Sequence, residues 1–229
     1  QKDAAGERTS AEQASFTRAL STMGSWYANM LTTTFAMSVA PAGSNAIPYG
    51  HRGWTTFERR ISQLVKQSVD TSWRRLADAS VTRKVGPLGG GYIEPPMHPR
   101  RFAAVLARKT FTNGKSDCEL VAGLYYDTFV GSFGSASTLT YRDCQWSDEE
   151  VVRLAEVLEW ACHATLLQID GNTRIGQRGL KALAEALRDP QAAPRLRRLG
   201  VDFPKSRNAA ELRMACEERG IQLQGAGEQ

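Results

Sequence analysis

Leu139, Tyr141 and Cys144 recur 28 residues later as Leu167, Ile169 and Asn172. Downstream of each set, Val151, Leu154, Ala155 and Leu158 align with Leu180, Leu183, Ala184 and Leu187 at an offset of 29. The first group has the two-residue spacing of a strand and the second the spacing of a helix face. A chain that repeats itself at this period builds stacked strand–helix units, because one such unit cannot bury its own apolar side. The Cys or Asn at the inward turn is expected to satisfy backbone groups that the bend leaves unpaired. A third unit is worn. Leu199 and Val201 predict its strand, Leu212 and Cys216 fall 29 residues after Leu183 and Leu187, and Ile221 to Leu223 predict a closing strand. Two and a half units fall short of the roughly three that a free-standing stack needs, so this segment must lean on the preceding helices or on a partner.

Upstream, Thr9 and Glu12 form a capping-box pattern, and Phe16, Leu20, Met23, Tyr27 and Leu31 recur at helical spacing as far as the neighbourhood of Asn29. Thr32 to Val39 reads as a buried strand closed by a loop through Pro41, Gly43, Ser44 and Asn45 to Tyr49. From Thr55 a second helix presents Phe57, Ile61, Leu64 and Val65; Val69, Trp73 and Leu76 either continue its face or make a short separate element. Gly86 to Pro99 breaks regular structure. Its three glycines at 89–91 do not make a phosphate loop, because no Lys-Ser/Thr follows at the required spacing. Pro99 to Lys109 reads as a helix with Phe102, Val105 and Leu106 inward, and Ser116 with Glu119 predicts a second capping box after the turn at Thr112, Asn113 and Gly114. The expected layout is an α/β segment over residues 1–85, a Gly/Pro loop and helical bridge over 86–136, and strand–helix repeats over 137–229.

With 229 residues, 41% of them apolar and 23% charged, the chain has the composition of a soluble globular protein of α/β class. Its longest weakly polar stretch, Met30 to Pro41, is far shorter than the roughly 20 apolar residues of a membrane-spanning helix. The absence of an initial Met and of an apolar signal core predicts a processed protein or a piece of a longer one, intracellular or in an organelle after loss of a targeting segment. Cys118, Cys144, Cys162 and Cys216 are scattered through apolar patterns without paired short spacing, which predicts buried free thiols and no metal site. The charge of +5 is uneven: residues 1–138 hold 16 Lys and Arg against 10 Asp and Glu. The pairs Arg59/Arg60, Arg74/Arg75 and Arg100/Arg101 could meet an acidic surface, but they lack interleaved aromatics, so a solvated face is expected and nucleic acid is disfavoured.

The compact polar and aromatic group in the chain is Tyr49, Arg52, Gly53, Trp54 and Glu58, at a strand-to-helix transition. It resembles the Toll/interleukin-receptor (TIR) domain, in which a Tyr, a Trp five positions on and a Glu four positions later share this spacing. The resemblance implies Glu58 as the catalytic residue of an NAD-cleaving site, steadying an oxocarbenium-like transition state, with Tyr49, Arg52, Trp54 and Arg59 as binding residues and NAD as the substrate nucleotide. Thr55 stands where the family usually has Cys, and the family's first strand would lie upstream of Gln1, so the segment is truncated on this reading. Without the resemblance, Tyr49 and Trp54 pack a loop, and Glu58 pairs with Arg52 or Arg59 at a helix start. The repeats resemble leucine-rich repeats of the ribonuclease-inhibitor type, whose concave side usually binds protein. The whole layout, including Phe111 to Lys115, is similar to proteins of unicellular algae and other protists, which bring no established activity. The function expected is a non-catalytic interaction or scaffold module without a cofactor, an accessory subunit docking onto a larger assembly. The alternative is a TIR-like NAD nucleosidase or signalling domain acting through Glu58.

Overall fold

In the computed structural model, residues 8–37, 47–66, 73–76, 93–202 and 209–224 are described, with the backbone alone at 35–37 and 73–76. Helix α1 spans Ser10–Ala28, and its start is fixed as the sequence predicts: Thr9 accepts from the Glu12 amide, and the Thr9 amide donates to the Glu12 carboxylate at 2.9 Å. Gly24 lets α1 approach its neighbours. A Cβ there would lie 1.9 Å from Oγ1 of Thr128 at the end of α4 (Lys115–Thr128).

Strand β1, Thr34–Met37, is followed by α2, Gly53–Ser62, and by β2, Trp73–Leu76, which pairs in parallel with β1. The predicted loop at 41–45, Val39 and Val69 lie outside the described residues. Of the two readings left open for Trp73 and Leu76, the separate element is the observed one. Leu64 and Val65 lie beyond the end of α2, yet both are buried. Close by, the fully buried Lys66 ammonium donates to the carbonyls of Asn29 and Thr32 and, at 3.1 Å, to Oγ1 of Thr32. It fastens the end of α1 to the chain leaving α2, where the carbonyls of a helix terminus attract a cation.

Helix α3, Pro99–Leu106, buries Phe102 and Leu106, and Phe102 stacks on Tyr125 of α4 at 3.8 Å. The predicted capping box at Ser116 does not form. Helix α4 begins at Lys115 with Gly114 (φ 58°) as its cap, so Ser116 is already inside the first turn, and Asp117 accepts the Asn113 amide instead, at 3.3 Å. A π-helical turn at Phe129–Phe133 leads into the repeats.

Strands β3 (Thr138–Thr140), β4 (Leu166–Gln168), β5 (Arg198–Gly200) and β6 (Gln222–Gln224) form a four-stranded parallel sheet in chain order. Helices α5 (Asp148–Ala155), α6 (Gln177–Arg188) and α7 (Ala210–Glu218) alternate with them. Leu139 pairs with Leu167, Leu167 with Leu199 and Leu199 with Leu223, so the 28-residue sequence period is the register of the first two strands, and the worn third unit keeps the pattern. These leucines face the helices. One apolar cluster runs from Phe57 and Ile61 of α2 through Phe102 and Tyr125 to Leu212 and Ile221, so the repeats lean on the helices before them.

Two expectations from the sequence are corrected. Arg59 and Arg60 are not a solvated pair: both reach Glu94, at 3.3 and 3.1 Å, and the Arg60 side chain is mostly buried. All four cysteines are free, and Cys144 and Cys216 are buried, but Cys162 is exposed and Cys118 only partly covered. Cys162 belongs to the turn after the 3₁₀ segment Leu158–Trp160, where the chain rounds the outside of the stack. No described helix is long and apolar enough to cross a membrane.

Candidate functional site

The segment before α2 is held from two sides. The Gly53 amide donates to Thr110 at 2.9 Å, the Thr110 amide donates to His51 at 2.9 Å, and Lys109 reaches the Gly50 carbonyl at 2.6 Å. Thr55 Oγ1 donates to the Tyr49 carbonyl at 2.6 Å, closing the turn Tyr49–His51 onto the first turn of the helix. Gly53 has to be glycine, since a Cβ would sit 1.9 Å from the ring of Phe111. These contacts aim the α2 side chains in three directions.

Trp54 turns toward α4 and donates its indole N–H to Asp117 Oδ2 at 3.2 Å. Burial would raise the Asp117 carboxyl, but hydrogen bonds from the Asn113 side chain, Trp54 and the Asn113 backbone outweigh it and hold the group low. Arg59 turns toward Glu94. Glu58 faces α1, close to the Tyr27 hydroxyl. Burial raises the Glu58 carboxyl against the lowering effects of Tyr27 and the nearby Arg52 charge. Tyr27 in turn is pushed up to about 12 by burial and by the Glu58 charge. Arg52 is exposed, with its guanidinium 5.9 Å from the Tyr49 ring centroid. Of the five residues singled out in the sequence, the fold therefore gathers Tyr49, Arg52 and Glu58, and sends Trp54 and Arg59 elsewhere. Tyr27 is the member that sequence reading missed. Its place in the apolar series of α1 hid its hydroxyl, and nothing in a single sequence links positions 27 and 58.

Beside this group, Met23, Trp26 and Tyr27 of α1 and Thr32, Thr33 and Thr34 line an open groove of about 480 Å³. Trp26 is 71% exposed at its edge. Tyr27 belongs to both places: its hydroxyl meets Glu58 and its body lines the groove.

A second candidate surface is the face of the four-stranded sheet turned away from the helices. Register puts Thr138, Leu166, Arg198 and Gln222 in one row and Thr140, Gln168, Gly200 and Gln224 in the next. Arg198 and Gln222 are exposed, Thr138, Leu166, Gln168 and Gln224 are half-buried, and Thr140 and Gly200 are buried, so this face opens to solvent at its β5 and β6 end. Among the described residues, no group of three His, Cys, Asp or Glu side chains is arranged to hold a metal ion. Comparison with protein-family models, curated proteins and solved structures finds no match to this chain.

Proposed function

We infer that this chain is a non-catalytic protein-interaction module, an accessory element that docks onto a larger assembly through the uncovered face of its parallel sheet. The observation that supports the reading most directly is the two-sidedness of that sheet. Leu139, Leu167 and Leu199 are buried against the helices, whereas the opposite row that begins at Thr138 ends in the solvent-facing Arg198 and Gln222. Parallel sheets are ordinarily covered on both sides, so a second polypeptide is the natural cover. The strand–helix repeat adds to this through its resemblance to leucine-rich repeats of the ribonuclease-inhibitor type.

The expected result is position-dependent crosslinking. A benzophenone amino acid placed at Gln222, on the uncovered face, should give a discrete crosslinked species in cells that express the protein. The same group at Glu185, on the outer side of α6, should not. Equal labelling from both positions, or none from Gln222, would overturn the reading.

A second reading rests on the gathering of Tyr49, Arg52 and Glu58 at the start of α2, within a parallel β1–α2–β2 crossover. In α/β sheets of this kind, ligands bind near the carboxyl ends of strands and the amino ends of helices. A half-buried, raised Glu58 next to Tyr27 beside a groove fits a TIR-like NAD-cleaving site in which the carboxylate steadies positive charge on the ribose. On this reading purified wild-type protein releases nicotinamide from NAD, and Glu58→Ala lowers the rate by at least about a hundredfold. Absence of turnover in wild type, or equal turnover in both, removes it.

A further inference from the structure

Met23, Trp26 and Tyr27 stand on one side of α1, and the run Thr32 to Thr34 that leads into β1 faces them across the groove of about 480 Å³. The two walls are tied together by the protein itself. Oγ1 of Thr32 donates to the Trp26 carbonyl at 2.8 Å, the Leu31 amide donates to the Asn29 side chain at 2.8 Å, and the buried Lys66 ammonium donates to the Asn29 carbonyl at 3.1 Å. The groove is therefore preformed, and its volume lies within the roughly 300–1,000 Å³ of small-molecule sites.

The chemistry of the walls narrows what can enter. Trp26 leaves most of its indole in water, whereas Trp54 and Trp160 are half-buried and Trp146 is fully buried. An open indole face is a stacking platform, because planar rings lie offset on it and gain more than burial of their area alone gives. The opposite wall offers hydroxyls. Thr22 and Thr32 spend theirs on main-chain carbonyls, Thr22 on that of Arg18 at 3.0 Å, which leaves Thr33 and Thr34 to meet polar substituents of a ligand. None of these wall side chains is charged. An ionised ligand would lose hydration here without gaining a counter-charge, so the walls select an uncharged one.

We propose that this groove binds the uncharged planar heteroaromatic ring of a small molecule, stacked on the Trp26 indole with its polar substituents turned to Thr33 and Thr34. The proposal adds a ligand site to the interaction module and does not depend on Glu58 being catalytic.

The test is a titration of the isotope-labelled full chain, followed by proton–nitrogen NMR, with three probes: indole-3-carboxamide, its anionic counterpart indole-3-carboxylate, and the non-planar cyclohexanecarboxamide. The Trp26 indole N–H resonance should move saturably with indole-3-carboxamide, and each of the other two should bind at least about fivefold more weakly. The Trp146 indole, which is buried and donates to the Ile93 carbonyl, should stay in place. Trp26→Ala changes an exposed position and should leave the fold intact. Read from the Thr33 amide, it should weaken indole-3-carboxamide by about tenfold. No saturable movement at Trp26, equal affinity for either control probe, or unchanged affinity in Trp26→Ala would each overturn the proposal. Saturable binding without NAD turnover would leave the ring site standing and remove only the NAD-cleaving reading.

Discussion

Asn172→Leu should lower the unfolding free energy by at least about 3 kcal/mol, because three buried backbone groups lose their partner together. Asn172 is 1% exposed, and its amide donates to the carbonyls of Tyr141 at 2.7 Å and Ile169 at 2.8 Å while its oxygen accepts the Trp146 amide at 3.0 Å. Leu keeps the branched outline, is somewhat larger, and offers neither donor nor acceptor. An unsatisfied buried polar group costs about 1–3 kcal/mol, so three of them exceed what the added apolar surface returns. Urea unfolding followed by circular dichroism measures this: the midpoint should fall with the slope unchanged. A loss below about 1 kcal/mol would mean that water or a backbone shift replaces the amide, and that the inward turn of the repeat does not depend on it. Asn172→Asp is the informative companion, since it keeps the acceptor for Trp146 and removes both donors. Near neutral pH it also aims a buried carboxylate oxygen at two carbonyls, so it should lose at least as much as Asn172→Leu and recover part of the loss as the pH falls and the carboxyl takes up a proton.

What was legible in the sequence tracks how local the physics is. The strand–helix stack could be read because a strand pairs with its copy in the next unit, so position 139 meets 167 and the period is the register. The Thr9 cap could be read for the same reason, since its partner is three residues away. The second candidate cap failed because the helix already starts at Lys115 after Gly114, and Asp117, which accepts the Asn113 amide, is held by Trp54, 63 residues distant in the chain. The candidate site fared the same way. Spacing placed Tyr49, Arg52 and Glu58 on one approach to α2, but only the packing of α1 showed that Glu58 faces Tyr27, and only the irregular stretch around Glu94 showed where Arg59 goes. The ion pair of Arg142 with Asp170, at 2.6 Å, joins polar positions that carry no apolar signature, so the repeat pattern passes over it.

The join between the helices and the repeats supplies the other large expected effect. Two side chains of the first repeat unit cross it: the Tyr141 hydroxyl donates to the Leu64 carbonyl at 2.8 Å, and the Trp146 indole donates to the Ile93 carbonyl at 2.7 Å. Their rings stack on each other at 4.8 Å and both are buried. Leu64 and Ile93 belong to irregular backbone, where these carbonyls have no ladder to join, so the two side chains satisfy groups that would otherwise be orphaned. Trp146→Ala should cost roughly 3–5 kcal/mol for the cavity, with the Ile93 carbonyl left unpaired in addition. Tyr141→Phe keeps the ring and should cost about 1–2 kcal/mol. Because one apolar cluster spans the join, the damage should not stay on one side. Hydrogen exchange in Trp146→Ala should speed up by a similar factor at Phe57 and Ile61 in α2 and at Leu167 in β4, as expected when both parts open in one cooperative unit. Faster exchange in α2 with β4 unchanged would instead make the repeats a separately stable unit, and the helices a cover that they do not need.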